Sequence, residues 1–424
     1  MPFVRRSFVR HSAWRRICLF LVAGALFCPA LSHAAEVNGI WAESSTKDFG
    51  EWTGVQWLKK IKIRGWLESY FVHNTNKPSR TTVNTNQGSS VVKAQNTTIE
   101  GRTFDIHNDV PRISLVEVEM EKVPTLGEWY GLGFKLDTNW GDTPEIIYDT
   151  IQGALGEGVV QHADKWFQHA TVGWVAPIGR GLRFDLGKYC THIGGETIEG
   201  IKNNNLSHGL LYTYAIPFQD TGLHVNYPWS DKFTTEVYVI RGWNVTTADN
   251  NRGKTIGSSV GWLPTSWFNL YFNHLVGPEQ RNDTKNLRHL FDFQVFLNNP
   301  IPKLNFLIFG DYGMEDDALS GNTQDAVWHG LGGVVRYQAS DHLEPSVRLE
   351  YLHDEDGFAT GVDQNLYGVT LTLNYKMALK KGLSLLVRPE YRFDKSSEGF
   401  FTKENSFRSK TTQQSVGVGA YIYF

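Results

Sequence analysis

The stretch Thr412 to Phe424 constrains this chain more than any other. Read back from the end, Phe424, Ile422, Ala420, Val418 and Val416 are apolar, whereas Tyr423, Tyr421, Gly419, Gly417 and Ser415 between them are small or hydroxylated. A β-strand sends alternate side chains to opposite faces. One face of this strand therefore suits hydrocarbon and the other suits water or close packing. A single such strand also fits the edge of a soluble sandwich, so the weight falls on whether the pattern recurs.

The opposite end reads as a secretory signal. Arg5, Arg6, Arg10, Arg15 and Arg16 precede the apolar run Ile17 to Phe27, and Ser32-His33-Ala34 offers the small residues of a cleavage site. Residues 1–34 form the expected signal peptide, cut after Ala34 or Ala35. The bulky Phe27 beside Cys28 argues against a lipoprotein site. Cys18 and Cys28 leave with the signal, so Cys190 remains alone and no internal disulfide is expected. Removing five arginines and no acid leaves 36 basic against 44 acidic residues, a formal charge of −8. That balance gives no support for a nucleic-acid partner. No later apolar run approaches the roughly 20 residues of a membrane helix. A mean hydropathy of −0.32 fits a soluble protein. It fits a membrane barrel equally, because half of each barrel strand faces a wet interior.

Alternation decides between the two. Residues 35–60, with Trp41, Trp52 and Trp57, precede the first clear strand and read as a periplasmic or plugging segment. From Ile61, the set Ile61, Ile63, Leu67 and Phe71 opposes Lys62, Arg64, Glu68 and Tyr70. Val116, Val118 and Met120 oppose Glu117, Glu119 and Glu121. Three glutamates on one strand face are costly in a dry core and ordinary in a water-filled lumen. Next, Tyr130, Leu132, Phe134 and Leu136 face out while Lys135 and Asp137 face in. Late in the chain, Leu383, Leu385, Val387, Pro389, Tyr391 and Phe393 oppose Ser384, Arg388, Glu390, Arg392 and Asp394. Pro389 removes a ladder donor, so an irregularity is expected there.

Short turns, among them Pro124 to Glu128 and Asn298 to Lys303, alternate with long loops. The stretch Asn74 to Asn108 is rich in Asn, Thr, Ser and Gln and reads as an exposed loop. A second long loop spans 139–165. The expected strands begin near 61, 112, 129, 167, 182, 223, 233, 254, 268, 287, 304, 326, 343, 365, 383 and 412. About sixteen strands, an even number, bring both ends to the periplasm, as single-chain bacterial barrels require. The segment 191–222 is left over and is expected to be a third loop folded into the barrel. Trp174, Trp262, Tyr337 and Tyr375 fall on outward faces near the turns, where an interfacial aromatic girdle sits. The expected fold is all-β: a transmembrane antiparallel β-barrel over 61–424, with short periplasmic turns and long extracellular loops.

Shorter motifs add a resemblance. Gly187-Lys188-Tyr189, Gly194-Gly195-Glu196, Asn205 with Ser207, Ile216-Pro217-Phe218, Gly222, Tyr227-Pro228-Trp229-Ser230-Asp231-Lys232 and Gly242-Trp243-Asn244 resemble the putative β-barrel porin-2 (OmpL-like) family of Gram-negative outer membranes. The likeness runs from about Ile61 to Phe424, and the terminal Phe resembles the assembly signal of outer-membrane barrels. The resemblance implies a pore for small hydrophilic solutes or ions and no enzymatic chemistry. It also implies outer-membrane lipid and lipopolysaccharide as surroundings. A homotrimer is an analogy with other porins.

A pore needs a constriction with charge arranged across it. On a sixteen-stranded wall, the side facing the fifth strand lies near the thirteenth. Inward positions there are Arg348 and Glu350, followed by Arg388, Glu390 and Arg392, and the leftover loop carries Glu196 and Glu199. Acidic loop residues facing basic wall residues would set a transverse field. The plain reading is solvated lumen charge or wall ion pairs. No HExxH, GxSxG, P-loop or paired CxxC occurs, so no catalytic residue, cofactor or metal is expected. The acid runs Glu315-Asp316-Asp317 and Asp354-Glu355-Asp356 read as solvated loop charge, and His162, His169, His192 and His208 lack ligand spacing. Three other functions compete: a barrel transporter for hydrophobic substrates plugged by its amino-terminal segment, a barrel lipase or protease, which would need a Ser/His pair at the outer rim that the sequence does not place, and a structural or adhesive barrel without an open pore.

Overall fold

The computed structural model describes residues 60–424 except 79–80, 86–87, 93–98, 156–164, 247–248, 320–322 and 405, together with the pair Lys47–Asp48. The signal segment, and nearly all of the periplasmic or plugging segment, lie outside the described residues.

Sixteen antiparallel strands follow one another around a closed barrel: β1 (Lys62–Asn74), β2 (Arg112–Lys122), β3 (Leu132–Trp140), β4 (Phe167–Ala176), β5 (Leu182–Cys190), β6 (Gln219–Ser230), β7 (Phe233–Ile240), β8 (Thr255–Thr265), β9 (Phe268–Gly277), β10 (Arg288–Ile301), β11 (Leu304–Leu319), β12 (Gln324–Tyr337), β13 (Leu343–Asp354), β14 (Gln364–Ala378), β15 (Ser384–Ser396) and β16 (Thr412–Tyr423). Each pairs with its neighbours in sequence, and β16 closes the ring on β1 from Trp66 opposite Tyr423 to Asn74 opposite Ser415. Closure satisfies every ladder without leaving an edge, which hydrocarbon demands. Lys47–Asp48 adds a two-residue contact beside Ile63 and Lys62.

The terminal stretch behaves as its alternation requires. Val416, Val418 and Ile422 face outward and Ser415 and Tyr421 are buried inward. The same rule operates around the barrel, leaving Val172 and Leu186 more than three-fifths exposed on the outside at 64% and 63%. Such side chains are costly in water and suited to lipid. Trp174, Trp262, Tyr337 and Tyr375 are exposed near the short turns, joined there by Trp229 and Trp267. At Pro389 the pairing of β15 with β14 is interrupted between Thr372 opposite Glu390 and Tyr375 opposite Val387, while the ladder to β16 runs unbroken. The missing proline N–H accounts for the gap.

Four expectations need correction. The third strand starts at Leu132, not at residue 129. Trp129–Gly131 is a 3-10 turn in which Tyr130 has φ 56 and lies exposed outside the strand. The sixth strand starts at Gln219, not residue 223, which shortens the third loop to 191–218. The hairpin expected over 298–303 is tighter, because β10 runs on to Ile301 opposite Leu304. The first long loop is not wholly exposed. Its last part turns into the barrel, burying Ile99, Glu100, Arg102, Thr103, Phe104 and Asp105. There Gln413 Nε2 donates to Glu100 O (2.7 Å), Arg102 Nη1 to Asp105 Oδ2 (2.7 Å), and Arg102 Nη2 to Ser415 Oγ. Composition marked the loop as polar, but most of these polar groups find partners inside, on one another, on β16 and on neighbouring loops. The second loop carries a helix, α1 (Asp142–Leu155).

Candidate functional site

The third loop crosses the lumen and is buried over most of its length. Its apolar residues Ile193, Ile198, Leu210, Leu211, Tyr212, Ile216 and Phe218 join one cluster with Leu307, Phe309, Trp328 and Leu352 of the wall. A short helix, α2 (Leu210–Tyr214), starts after Gly209. A Cβ at Gly209 would stand 2.1 Å from Glu350 Oε1, so a larger residue there would push that carboxylate aside. At the far end, Asn244 Oδ1 accepts from Phe218 N (2.6 Å) and Gln219 N (3.3 Å), pinning the return to β6.

Three arginines from the facing wall hold the crossing segment, and all are buried. Arg348 Nη1 donates to Glu196 Oε1 (2.6 Å) and Ser207 O (2.6 Å), and its Nε pairs with Glu350 Oε2 (2.9 Å). Arg388 reaches four loop carbonyls: Gly200 (2.5 Å), Asn205 (3.2 Å), Ile201 (3.2 Å) and Asn203, while its Nε donates to Asn374 Oδ1 (2.6 Å). Arg392 donates to His208 O (2.6 Å), Gly101 O (3.1 Å) and Asp394 Oδ1 (2.7 Å). The carboxylates complete the pattern. Glu390 accepts from Leu206 N (2.7 Å) and Ser207 N (3.2 Å), Glu196 Oε2 from Gly209 N (2.6 Å), and Glu68 from Ile201 N (2.9 Å). A guanidinium offers five donors in a rigid plane, and here those donors replace the water that an irregular backbone would otherwise need.

The seven residues singled out from sequence are thus not all in one place. Glu196, Arg348, Glu350, Arg388, Glu390 and Arg392 meet in a dry contact between loop and wall. Glu196 touches Arg348 directly, so no open gap separates that acid from that base. Glu199 turns the other way. It pairs with Lys202 (2.9 Å) and its carboxylate lies within 4.8 Å of those of Glu117 and Asp137. Burial pushes the Glu199 carboxyl up, but Lys202 and Lys135 outweigh it and hold it below the usual value. The three carboxylates form an oxygen-only set of the kind hard cations take. Lys135, 3.3 Å from Asp137, and Lys202 already place positive charge beside it.

The water-facing charge lies on the β1–β5 side. In most of the ion pairs there the base is the more exposed partner, Arg64 with Glu121 being level at 21% and 20%. Arg64 (21%) covers Glu119 (2%), Lys135 (26%) covers Glu119 and Asp137 (0%), Lys202 (28%) covers Glu119 and Glu199 (3%), and Arg183 (35%) covers Asp185 (8%). Sequence alternation placed Arg64, Lys135, Glu117 and Glu119 inward without marking them as a site. Lys202 carried no periodic signal, because it sits on the irregular loop.

A closed barrel of sixteen strands, with an apolar belt outside, charge inside and a loop drawn across the lumen, defines an outer-membrane porin channel. The chain belongs to the putative β-barrel porin-2, OmpL-like family, whose profile matches residues 60–424. Among solved structures, OprB of Pseudomonas putida at high pH superposes with a TM-score of 0.54 at 10% identity, covering 90% of this chain and 99% of that one. An anion-selective porin from Comamonas acidovorans gives 0.50 at 11% identity, covering 86% and 99%. The outer-membrane channel DcaP of Acinetobacter baumannii gives 0.50 at 10% identity, covering 86% and 97%. At these identities the likeness is one of fold. No curated protein sequence matches the chain.

Proposed function

We propose that this porin passes small hydrophilic solutes by passive diffusion and favours anions among them. The observation that carries this reading is the asymmetry of exposure on the β1–β5 wall. Arg64, Lys135 and Arg183 of that wall, with Lys202 of the loop packed against it, meet the lumen water above the buried carboxylates of Glu119, Asp137 and Asp185. A charged lumen lining selects by sign, and the local lining outweighs the net charge of the mature chain. The Comamonas acidovorans structure, itself an anion-selective porin by description, is a barrel of the same fold.

The buried contact of Glu196, Glu350 and Glu390 with Arg348, Arg388 and Arg392 serves, in this reading, to fix the loop that narrows the pore, while Lys202, paired with Glu199 and with Glu119 of β2, joins that loop to the opposite wall. The barrel carries out no catalysis, and the native assembly is a homotrimer. The mature chain starts after a signal ending at residue 34, and residues 35–60 form a periplasmic or plugging segment. Reversal potentials in planar bilayers under a potassium chloride gradient test the main point. Anion-selective reversal supports it; cation selectivity overturns it, and absence of conductance favours the structural or adhesive barrel. A large conductance increase on deleting 36–60 would identify that segment as a plug.

A further inference from the structure

The outer face of the barrel carries a second arrangement unrelated to the lumen. His329 of β12 and His353 of β13 are opposed in the ladder, and both point outward at the end of the barrel away from the short turns. Their rings lie 5.2 Å apart and nearly perpendicular. Two residues beyond His353, on the same face, Glu355 brings its Oε1 to 3.6 Å from His329 Nδ1. The backbone fixes this position, since Glu355 N donates to Val327 O (3.1 Å) and Val327 N donates to Asp356 Oδ2 (3.1 Å). One ligating atom from each of His329, His353 and Glu355 lies within 4.8 Å of the others. Glu355 is exposed and the two imidazoles half-buried, and His329 Nδ1, turned toward Glu355, is shut off from solvent without a hydrogen-bond partner.

We infer that His329, His353 and Glu355 form a binding site for a divalent transition ion of the zinc, nickel or copper class on the extracellular rim. Two imidazoles and one carboxylate suit these borderline ions, whereas calcium and magnesium prefer oxygen alone. Zinc bonds to nitrogen at about 2.0–2.1 Å, so small side-chain rotations bring all three donors onto one ion without moving the ladder. Three protein ligands leave a coordination position for water. A neighbouring pair supplies an internal contrast. His274 Nε2 and His289 Nδ1 stand 3.2 Å apart on the same outer face and stack on Phe291. Among the described residues they gather no third ligating group at comparable distance.

The test uses the full mature barrel folded in detergent, with folding of each variant checked by heat-modifiable gel mobility. Calorimetric titration with zinc chloride is expected to give one ion per chain. That binding is lost in the pair His329→Gln with His353→Gln, weakened in Glu355→Gln, and retained in the pair His274→Gln with His289→Gln. Electron paramagnetic resonance of the unmodified barrel with one equivalent of copper(II) is expected to show coupling to two nitrogens. Absence of stoichiometric zinc binding, or its survival in the 329/353 pair, overturns the site. A copper spectrum without nitrogen coupling does the same.

Discussion

Arg348 Nη1 lies 2.6 Å from Glu196 Oε1, with both side chains buried, and so binds β13 to a loop 152 residues earlier in the chain. Breaking a buried ion pair by removing one partner leaves an uncompensated charge and costs on the order of 3–5 kcal/mol. Arg348→Gln and Glu196→Gln are each expected to free the loop and give larger, noisier single-channel conductance. The two together should do less harm than the sum of the singles, because the double variant no longer strands Glu196 or the guanidinium facing it and leaves only Glu350 without Arg348. Additive effects in such a cycle would show that the pair does not hold the loop.

Arg388 serves four loop carbonyls at once, a task for a planar fork and not for a point charge. Arg388→Lys keeps the charge and is expected to behave like Arg388→Gln, with frequent closures and faster proteolysis within 196–206. A lysine variant indistinguishable from the unmodified channel would mean that charge alone is required.

Selectivity should follow the exposed bases. Lys135→Gln with Lys202→Gln removes two water-facing charges, and the reversal potential is expected to move toward cations. Arg392→Gln is expected to alter conductance more than reversal potential, since its guanidinium is spent on His208 O, Gly101 O and Asp394. The opposite order of effects would place the selecting charge at the loop contact.

Glu279, beyond the end of β9, accepts from Trp243 N (2.9 Å) and Thr255 Oγ1 (2.5 Å) and so joins two extracellular loops. Burial raises its carboxyl from the ordinary 4.5 to about 7, despite Arg288 and these hydrogen bonds. The folded form therefore prefers the proton. Its stabilising contribution is complete below pH 4.5 and is lost as pH rises through about 7. Proteolysis of the 241–254 loop should quicken between pH 5 and 8 relative to a control substrate, and Glu279→Gln should flatten that dependence.

On the lipid side, Val172→Arg, at one of the most exposed outward positions, should destabilise the folded barrel by about 2–4 kcal/mol if it sits near the bilayer midplane. Equilibrium unfolding in urea with lipid vesicles measures it. A cost near zero would place β4 differently in the membrane.

The amphipathic strands were legible because a period of two is a local property: Val416, Val418 and Ile422 announce their face without any knowledge of their neighbours. An even strand count with one segment left over pointed to the third loop for a similar reason. Periodicity has no grip on irregular backbone, so the inward turn of Ile99 to Asp105 and the placement of Lys202 were hidden. Charge type alone suggested that Glu196 and Glu199 share one task. Only the tertiary structure separates them, sending Glu196 to Arg348 and Glu199 to Lys202. Likewise, sequence gives the inward bases and acids of the β1–β5 wall in nearly equal measure. Which of them meets water depends on side-chain length and on layering across strands. The long Lys and Arg side chains reach past the shorter carboxylates toward the lumen, and that depth is a distance no linear pattern contains.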